Sequence, residues 1–168
     1  MIYIINHQET DSRTPIAIYL DRDGVLNEKI ENGYVLTKDQ LVIRDNAAWF
    51  LRECFQITPY VFIVSNQRCV DLGIITLQEL TEIDAHLWEL LRYKPFASIY
   101  ATTNDRKPSP SMIFKARELV PVELEKELMF GDSLSDQECA ENAGVEFSMV
   151  WDSLPVAFSI GLRKVDLL

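Results

Sequence analysis

Nothing in this chain is apolar for long enough to cross a bilayer: stretches such as PIAIYL and YVFIV are of strand length, far short of the ~18 residues a span requires. The opening MIYIINHQETDSR lacks the basic start and long apolar middle of a secretion signal, so a cytoplasmic protein with no membrane partner is expected. Cysteine is scarce. Cys54, Cys69 and Cys139 fall singly with no C-x-x-C spacing, which speaks against a disulfide framework and a cysteine-rich zinc site. Histidine is sparser still: His7 lies in the N-terminal extension, and His86 reads as a surface or boundary residue of a helix. Linkers, repeats and low-complexity tracts are absent, so the 168 residues are expected to form one domain, 1–168, with a core over about 15–150, acting as a monomer or weak homo-oligomer. Positive charge is in deficit. With 16 Lys and Arg against 26 Asp and Glu, the net charge is −10, which repels a polyanion and argues against a nucleic-acid partner. A small anion remains compatible, because it needs only a local cluster of cations, backbone donors or a metal.

What the chain does have is an alternation of strand and helix patterns. PIAIYL reads as a strand, and DNAAWFLREC as a helix with an Asp/Asn cap and Ala47, Ala48, Phe50, Leu51 and Cys54 near one face. YVFIVS is the continuous apolar run expected of a strand covered on both faces. TLQELTEIDAHLWELLRY is the clearest helix, with Thr76 as cap, Glu79 at capping-box distance and Leu77, Leu80, Ile83, Leu87 and Leu90 at helical intervals. Strand FASIYA, helix SPSMIFKARELV, strand ELMFG, helix LSDQECAENAG closed by Gly144, and strand VEFSMV complete the order. Trp49, Trp88 and Trp151 read as core or rim packing. Such alternation requires crossovers, and these predict a doubly wound, Rossmann-like α/β parallel sheet with helices on both faces. Ligands bind such sheets at the carboxyl ends of the strands.

Polar residues gather at those ends. YLDRDGVLNE sets Asp21 and Asp23 after the first strand, Ser65 and Asn66 close the second, DRKPSP brings Arg106 and Lys107 after the third, and FGDSLSD brings Asp132 and Asp136 after the fourth. Each alone is ordinary loop chemistry; together they are informative. Carboxylates converging on one edge repel unless a cation sits among them, and hard oxygen ligands select Mg2+. A divalent ion beside Lys107 makes a pocket for a phosphoryl group, with a carboxylate as nucleophile and an aspartyl-phosphate as intermediate.

YLDRDGVLNE, VFIVSNQ, DRKPSPSM and FGDSLSDQECAENAGV, in that order, resemble the four motifs of the haloacid dehalogenase superfamily of phosphatases. With NGYV at residues 32–35, they are most similar to its capless branch, subfamily IIIA, which acts on heptose bisphosphates and histidinol phosphate. The likeness covers roughly residues 15–150. It implies that Asp21 is nucleophile and metal ligand, and that Asp23 is acid and base while its backbone carbonyl touches the metal. Ser65 and Asn66 would bind phosphoryl oxygens, Lys107 would neutralise charge and Arg106 would reach a phosphate or the substrate. Asp132 would complete the metal site, which Asp136 would support from behind. The implied activity is Mg2+-dependent hydrolysis of a small phosphorylated metabolite.

Two departures accompany the likeness. That branch usually carries a zinc loop of Cys and His before the Arg-Lys motif; here YATTNDRKP has neither, so no zinc is expected and a wall of the substrate pocket is missing. SNQRCVDLG also places Arg68 and Cys69 after Ser65, the first read as solvated and the second as structural. With no room for a large cap, the site is expected to be open, which admits end processing of a 3′-phosphorylated polynucleotide as an alternative. A receiver-like phospho-acceptor switch and a catalytically silent relative are the others.

Overall fold

The computed structural model describes residues 1–6, 8–151 and 153–168, so His7 lies outside the described residues. Six strands form one sheet in the order β1-β4-β3-β2-β5-β6: β1 (Ile2–Asn6), β2 (Ile16–Leu20), β3 (Val61–Asn66), β4 (Ala97–Ala101), β5 (Lys126–Gly131) and β6 (Glu146–Met149). The five later strands are parallel, as the crossovers require, whereas β1 pairs antiparallel with β4 at the edge. The sheet is therefore mixed, not wholly parallel. The extension that carries β1 adds a strand on which no crossover helix depends, so nothing fixes its direction as parallel.

The described residues form six helices, α1 (Ala47–Ile57), α2 (Arg68–Asp71), α3 (Leu77–Leu91), α4 (Ser111–Leu119), α5 (Leu134–Ala143) and α6 (Leu154–Lys164). The central strand β2 shows why both faces must be covered. Ile18 and Leu20 pack with residues of α1, α3 and α6, while Ala17 and Tyr19 pack with residues of α4 and α5, and all four are fully buried. Each large side chain so enclosed contributes about 1.5–3 kcal/mol.

Local expectations held where capping and periodicity agreed. Thr76 and Glu79 form the capping box of α3, and Gly144 ends α5 at φ +71°. Elsewhere they did not hold. Asn46 precedes α1 in the left-handed region and makes no side-chain cap, and Ala48 points to solvent. The buried stripe of α3 runs through Leu80, Ile83, Asp84, Leu87, Trp88 and Leu91, leaving Leu77 and Leu90 exposed. Trp88 is buried and Trp49 packs edge-on to Phe158, but Trp151 is 74% exposed and is no packing residue.

Strand order reverses at β2, between β3 and β5, and this places the crevice where the first and fourth polar motifs meet. No large cap covers it. Residues 28–46 arch over one side through loops and a single 3-10 turn, and no helix among the described residues is long and apolar enough to cross a membrane.

Candidate active site

Beyond Leu20 the chain turns at once. Asp21 N–H donates to the Phe130 carbonyl of β5 at 3.0 Å, Arg22 N–H donates to Asp21 Oδ1 at 2.8 Å, and Leu26 N–H closes the turn onto the Arg22 carbonyl at 2.9 Å. Gly24 makes the turn possible. Its φ of +90° suits a residue without a side chain, and a Cβ there would lie 2.2 Å from Asp132 Oδ2. Gly131, ending β5, meets the same limit on the other side, since its Cβ would fall 2.4 Å from that of Asp136. Gly24 thus lets the loop after β2 close on Asp132, and Gly131 lets the start of α5 fold back on the end of β5, which together bring Asp21, Asp132 and Asp136 into one cluster.

Carboxylate oxygens of these three residues lie within 4.8 Å of one another. Lys107 neutralises part of this charge from below. Its Nζ, nearly sealed from solvent, lies 2.9 Å from Asp21 Oδ1 and 2.5 Å from Asp136 Oδ1, and donates to the Val64 carbonyl at 2.9 Å. The side chain of Asn66 holds the lysine's backbone in place, accepting from Lys107 N–H at 2.7 Å and donating to its carbonyl at 3.1 Å. Asp136 has further fixed partners: Oδ2 accepts from the N–H groups of Asp132 and Ser133, each at 3.1 Å, and from the Ser133 hydroxyl at 2.6 Å, in the capping box of α5. Burial opposes its ionisation, but Lys107 and Ser133 outweigh that and hold its pKa below the usual carboxylate range. Asp21 goes the other way. Burial, which Lys107 only partly offsets, together with the charges of Asp136 and Asp23, pushes its pKa up to about 7.

Lys107 and the half-exposed Lys29, which pairs with Asp132 Oδ2 at 3.1 Å, together do not balance three carboxylates, and Asp132 Oδ1 is buried with no hydrogen-bond partner among the described residues. An all-oxygen donor set with an orphaned buried carboxylate oxygen fits a hard divalent cation.

Asp23 lines the same cavity but faces different partners. Its carboxylate accepts from Arg22, from Asn27 Nδ2 at 2.9 Å and from Gln67 Nε2 at 3.0 Å. Burial is outweighed by Arg22 and by these amides, so its pKa is lowered. Gln67 also donates to Ser65 Oγ at 3.2 Å, tying the hydroxyl to Asp23.

The cavity has a volume of about 160 Å3 and includes Asp21, Asp23, Ser65, Asn66, Lys107 and Asp136 in its lining. Arg106 is not in that lining; its Nε donates to the Thr103 carbonyl at 2.9 Å, within the loop after β4. Arg68 is exposed outside the lining, and Cys69 is buried. Four residues were not singled out from the sequence. Asn27, Gln67 and Arg22 are polar side chains in or beside the first two motifs, next to apolar strands, which was the available signal, whereas Lys29, 3.1 Å from Asp132, lies at no strand end.

The family pattern of haloacid dehalogenase-like hydrolases matches residues 60–150. The D-glycero-beta-D-manno-heptose-1,7-bisphosphate 7-phosphatase of Rhodopseudomonas palustris is 30% identical over 147 residues, covering 77% of this chain and 79% of that protein. Its namesake from Helicobacter pylori is 29% identical over 150 residues, covering 83% and 85%. Among solved structures, the D,D-heptose 1,7-bisphosphate phosphatase of B. bronchiseptica, complexed with magnesium and phosphate, superposes with a TM-score of 0.73 at 24% identity over 89% of this chain and 86% of that one. The chain belongs to the haloacid dehalogenase-like hydrolases and is an enzyme of their phosphatase class.

Proposed function

We propose that this protein hydrolyses a sugar phosphate, with Asp21 as nucleophile and Asp23 as acid and base. The observation that carries the reading is the floor of the cavity, where Asp21 shares Lys107 with Asp136, together with Asp132, which is outside the cavity lining but within 4.8 Å of both carboxylates and has an unpartnered oxygen. Asp21, Asp132 and the Asp23 backbone carbonyl would hold Mg2+, with Asp136 already committed to Lys107 and Ser133. When bound, the ion supplies positive charge that draws the phosphoryl oxygens and eases their approach to an anionic carboxylate.

The chain's own groups then perform two displacements. Asp21 attacks phosphorus, and the bond from phosphorus to the substrate oxygen breaks as that oxygen takes a proton from Asp23. Asp23 is kept ionised by its present partners, but a doubly negative phosphoryl group arriving beside it raises its proton affinity. In the second step Asp23 removes a proton from water, the water oxygen attacks the acyl phosphate, and Asp21 is regenerated as inorganic phosphate departs. Ser65 and the amides at the N-terminus of α5 would hold phosphoryl oxygens, and Lys107 would offset their charge.

Substrate choice belongs to the mouth. A cavity of about 160 Å3 is well below the ~300 Å3 at which sites begin to enclose drug-sized ligands, so it takes the phosphoryl group and leaves the alcohol outside. Lys29, Ile30, Gly33, Tyr34 and Val35 line the same cavity, and the alcohol would meet them at its opening. The names of the relatives support a sugar, and the exposed ammonium of Lys29 supports a second anionic group on it. A phosphate-release assay with Mg2+ tests the reading across sugar mono- and bisphosphates, histidinol phosphate, nucleotides and 3′-phosphorylated oligonucleotides. Turnover of the sugar esters that disappears in Asp21→Asn is expected. Equal inertness of both proteins on every class would overturn the reading, and a preference for the oligonucleotides would replace its substrate.

A further inference from the structure

Arg22 is fully buried, and a guanidinium in a protein interior is costly unless fixed groups surround it. Two of its nitrogens grip Asp23: Nε donates to Oδ1 at 3.3 Å, and Nη2 to Oδ1 and Oδ2 at 3.1 and 3.0 Å. Nη1 has no hydrogen-bond partner among the described residues, and the guanidinium carbon lies 5.8 Å from the centre of the Tyr100 ring, over its face. Tyr100, on β4, donates its hydroxyl to Asp84 on α3, and Asp84 also accepts from Trp88 Nε1 at 2.9 Å. A connected line of buried polar groups thus runs from the interior of α3, beneath the sheet edge, to the carboxylate of Asp23.

Stability alone is a poor reason for such a line, because buried ion pairs replaced by apolar residues of similar volume are often as stable or more so. What a satisfied polar network gives is one orientation. We propose that Arg22, seated on Tyr100 and anchored through it by Asp84, is the positioning residue that holds the Asp23 carboxylate toward the departing oxygen. The proposal rests on the reading of Asp23 as acid and base, and it assigns work to Arg22, between the two aspartates of the first motif, and to Tyr100 and Asp84, outside the four motifs. Without Arg22 the carboxylate keeps only the single donors Asn27 and Gln67 and loses the planar fork that grips both its oxygens, while Asp21 is untouched, so losing the anchor should penalise the reactions that need a proton delivered.

The test compares kcat/KM, which reports formation of the phosphoenzyme, for p-nitrophenyl phosphate and for a sugar phosphate. The aryl oxygen leaves without a proton, whereas the alkyl oxygen needs one. Arg22→Gln is expected to lose about 10²-fold on the sugar ester and less than about tenfold on the aryl ester. Tyr100→Phe keeps the ring and removes the link to Asp84; several-fold loss on the sugar ester alone is expected, and it decides the matter if Arg22→Gln does not fold. Asp23→Asn is the reference and should show the same selectivity more strongly. Losses in Arg22→Gln and Tyr100→Phe that are equal on both esters, beside a selective Asp23→Asn, would overturn the positioning role while leaving the reading of Asp23 intact. An unselective Asp23→Asn would instead overturn that reading, and the positioning role with it.

Discussion

Lys107 and Lys29 reach the same cavity, and each pairs with an aspartate, Lys107 at 2.9 Å from Asp21 and Lys29 at 3.1 Å from Asp132. Their settings differ. The Lys107 side chain is 2% exposed, tied to two carboxylates and a carbonyl, and its backbone is clamped by Asn66; the Lys29 side chain is 54% exposed and is held by its pair with Asp132. The floor of the cavity is therefore preorganised and electrostatically strained, and the mouth is adaptable and cheap to change. Floors of this kind set the reaction, because charge acts strongly where water is excluded. A mouth that costs little in stability is free to set the substrate.

The sharpest way to break this contrast is to remove each ammonium in turn. Lys107→Met strands Asp21 and Asp136 in the interior and should cost about 3–5 kcal/mol in urea unfolding without metal. Lys29→Met should change stability by no more than about 1 kcal/mol, as exposed pairs do. Similar costs in the two variants would contradict the division. Metal gives the next largest effect. Since Mg2+ would relieve the repulsion among Asp21, Asp132 and Asp136, saturation at a hundredfold excess over Kd should stabilise the protein by about 2.7 kcal/mol, and chelation should reverse this and stop turnover. An unchanged melting temperature with and without Mg2+ would leave the acidic cluster unexplained. The smallest effect concerns the mouth: Lys29→Ala should raise KM several-fold for a sugar bisphosphate, with little change for the monophosphate or in kcat. Equal changes for both esters would show that Lys29 does not meet a second anion.

The floor was readable in the sequence because its residues stand at strand ends, and strand ends are marked by apolar runs that stop abruptly at Asp21, Ser65 and Asp132. The mouth was legible only in NGYV, through the resemblance, because residues 28–35 follow no period and their placement depends on how the arch packs. Three elements escaped for local reasons, of which α2 is four residues long and too short to show a helical period. Strand β1 is a short edge strand in the N-terminal extension, and α6 contains Pro155 and Gly161, which lower helix propensity. Proline is tolerated in the first turn of α6, and a Cβ on Gly161 would come within 2.9 Å of Leu128 and Phe130. Asp84 left a signal that was passed over. A lone acid in a buried stripe with Leu80, Ile83, Leu87 and Leu91 must have partners, and identifying Tyr100 and Trp88 required the fold.

The central claim is that Asp21 carries the phosphoryl group between substrate and water. It is tested most directly by mixing the Mg2+-loaded Asp23→Asn variant with p-nitrophenyl phosphate, whose leaving oxygen needs no proton, quenching in acid and locating the added mass by peptide mass spectrometry. Slowed hydrolysis of the intermediate should leave one phosphoryl group on the peptide containing Asp21. A phosphoryl group on another residue, or none while the variant still turns over, would contradict the account.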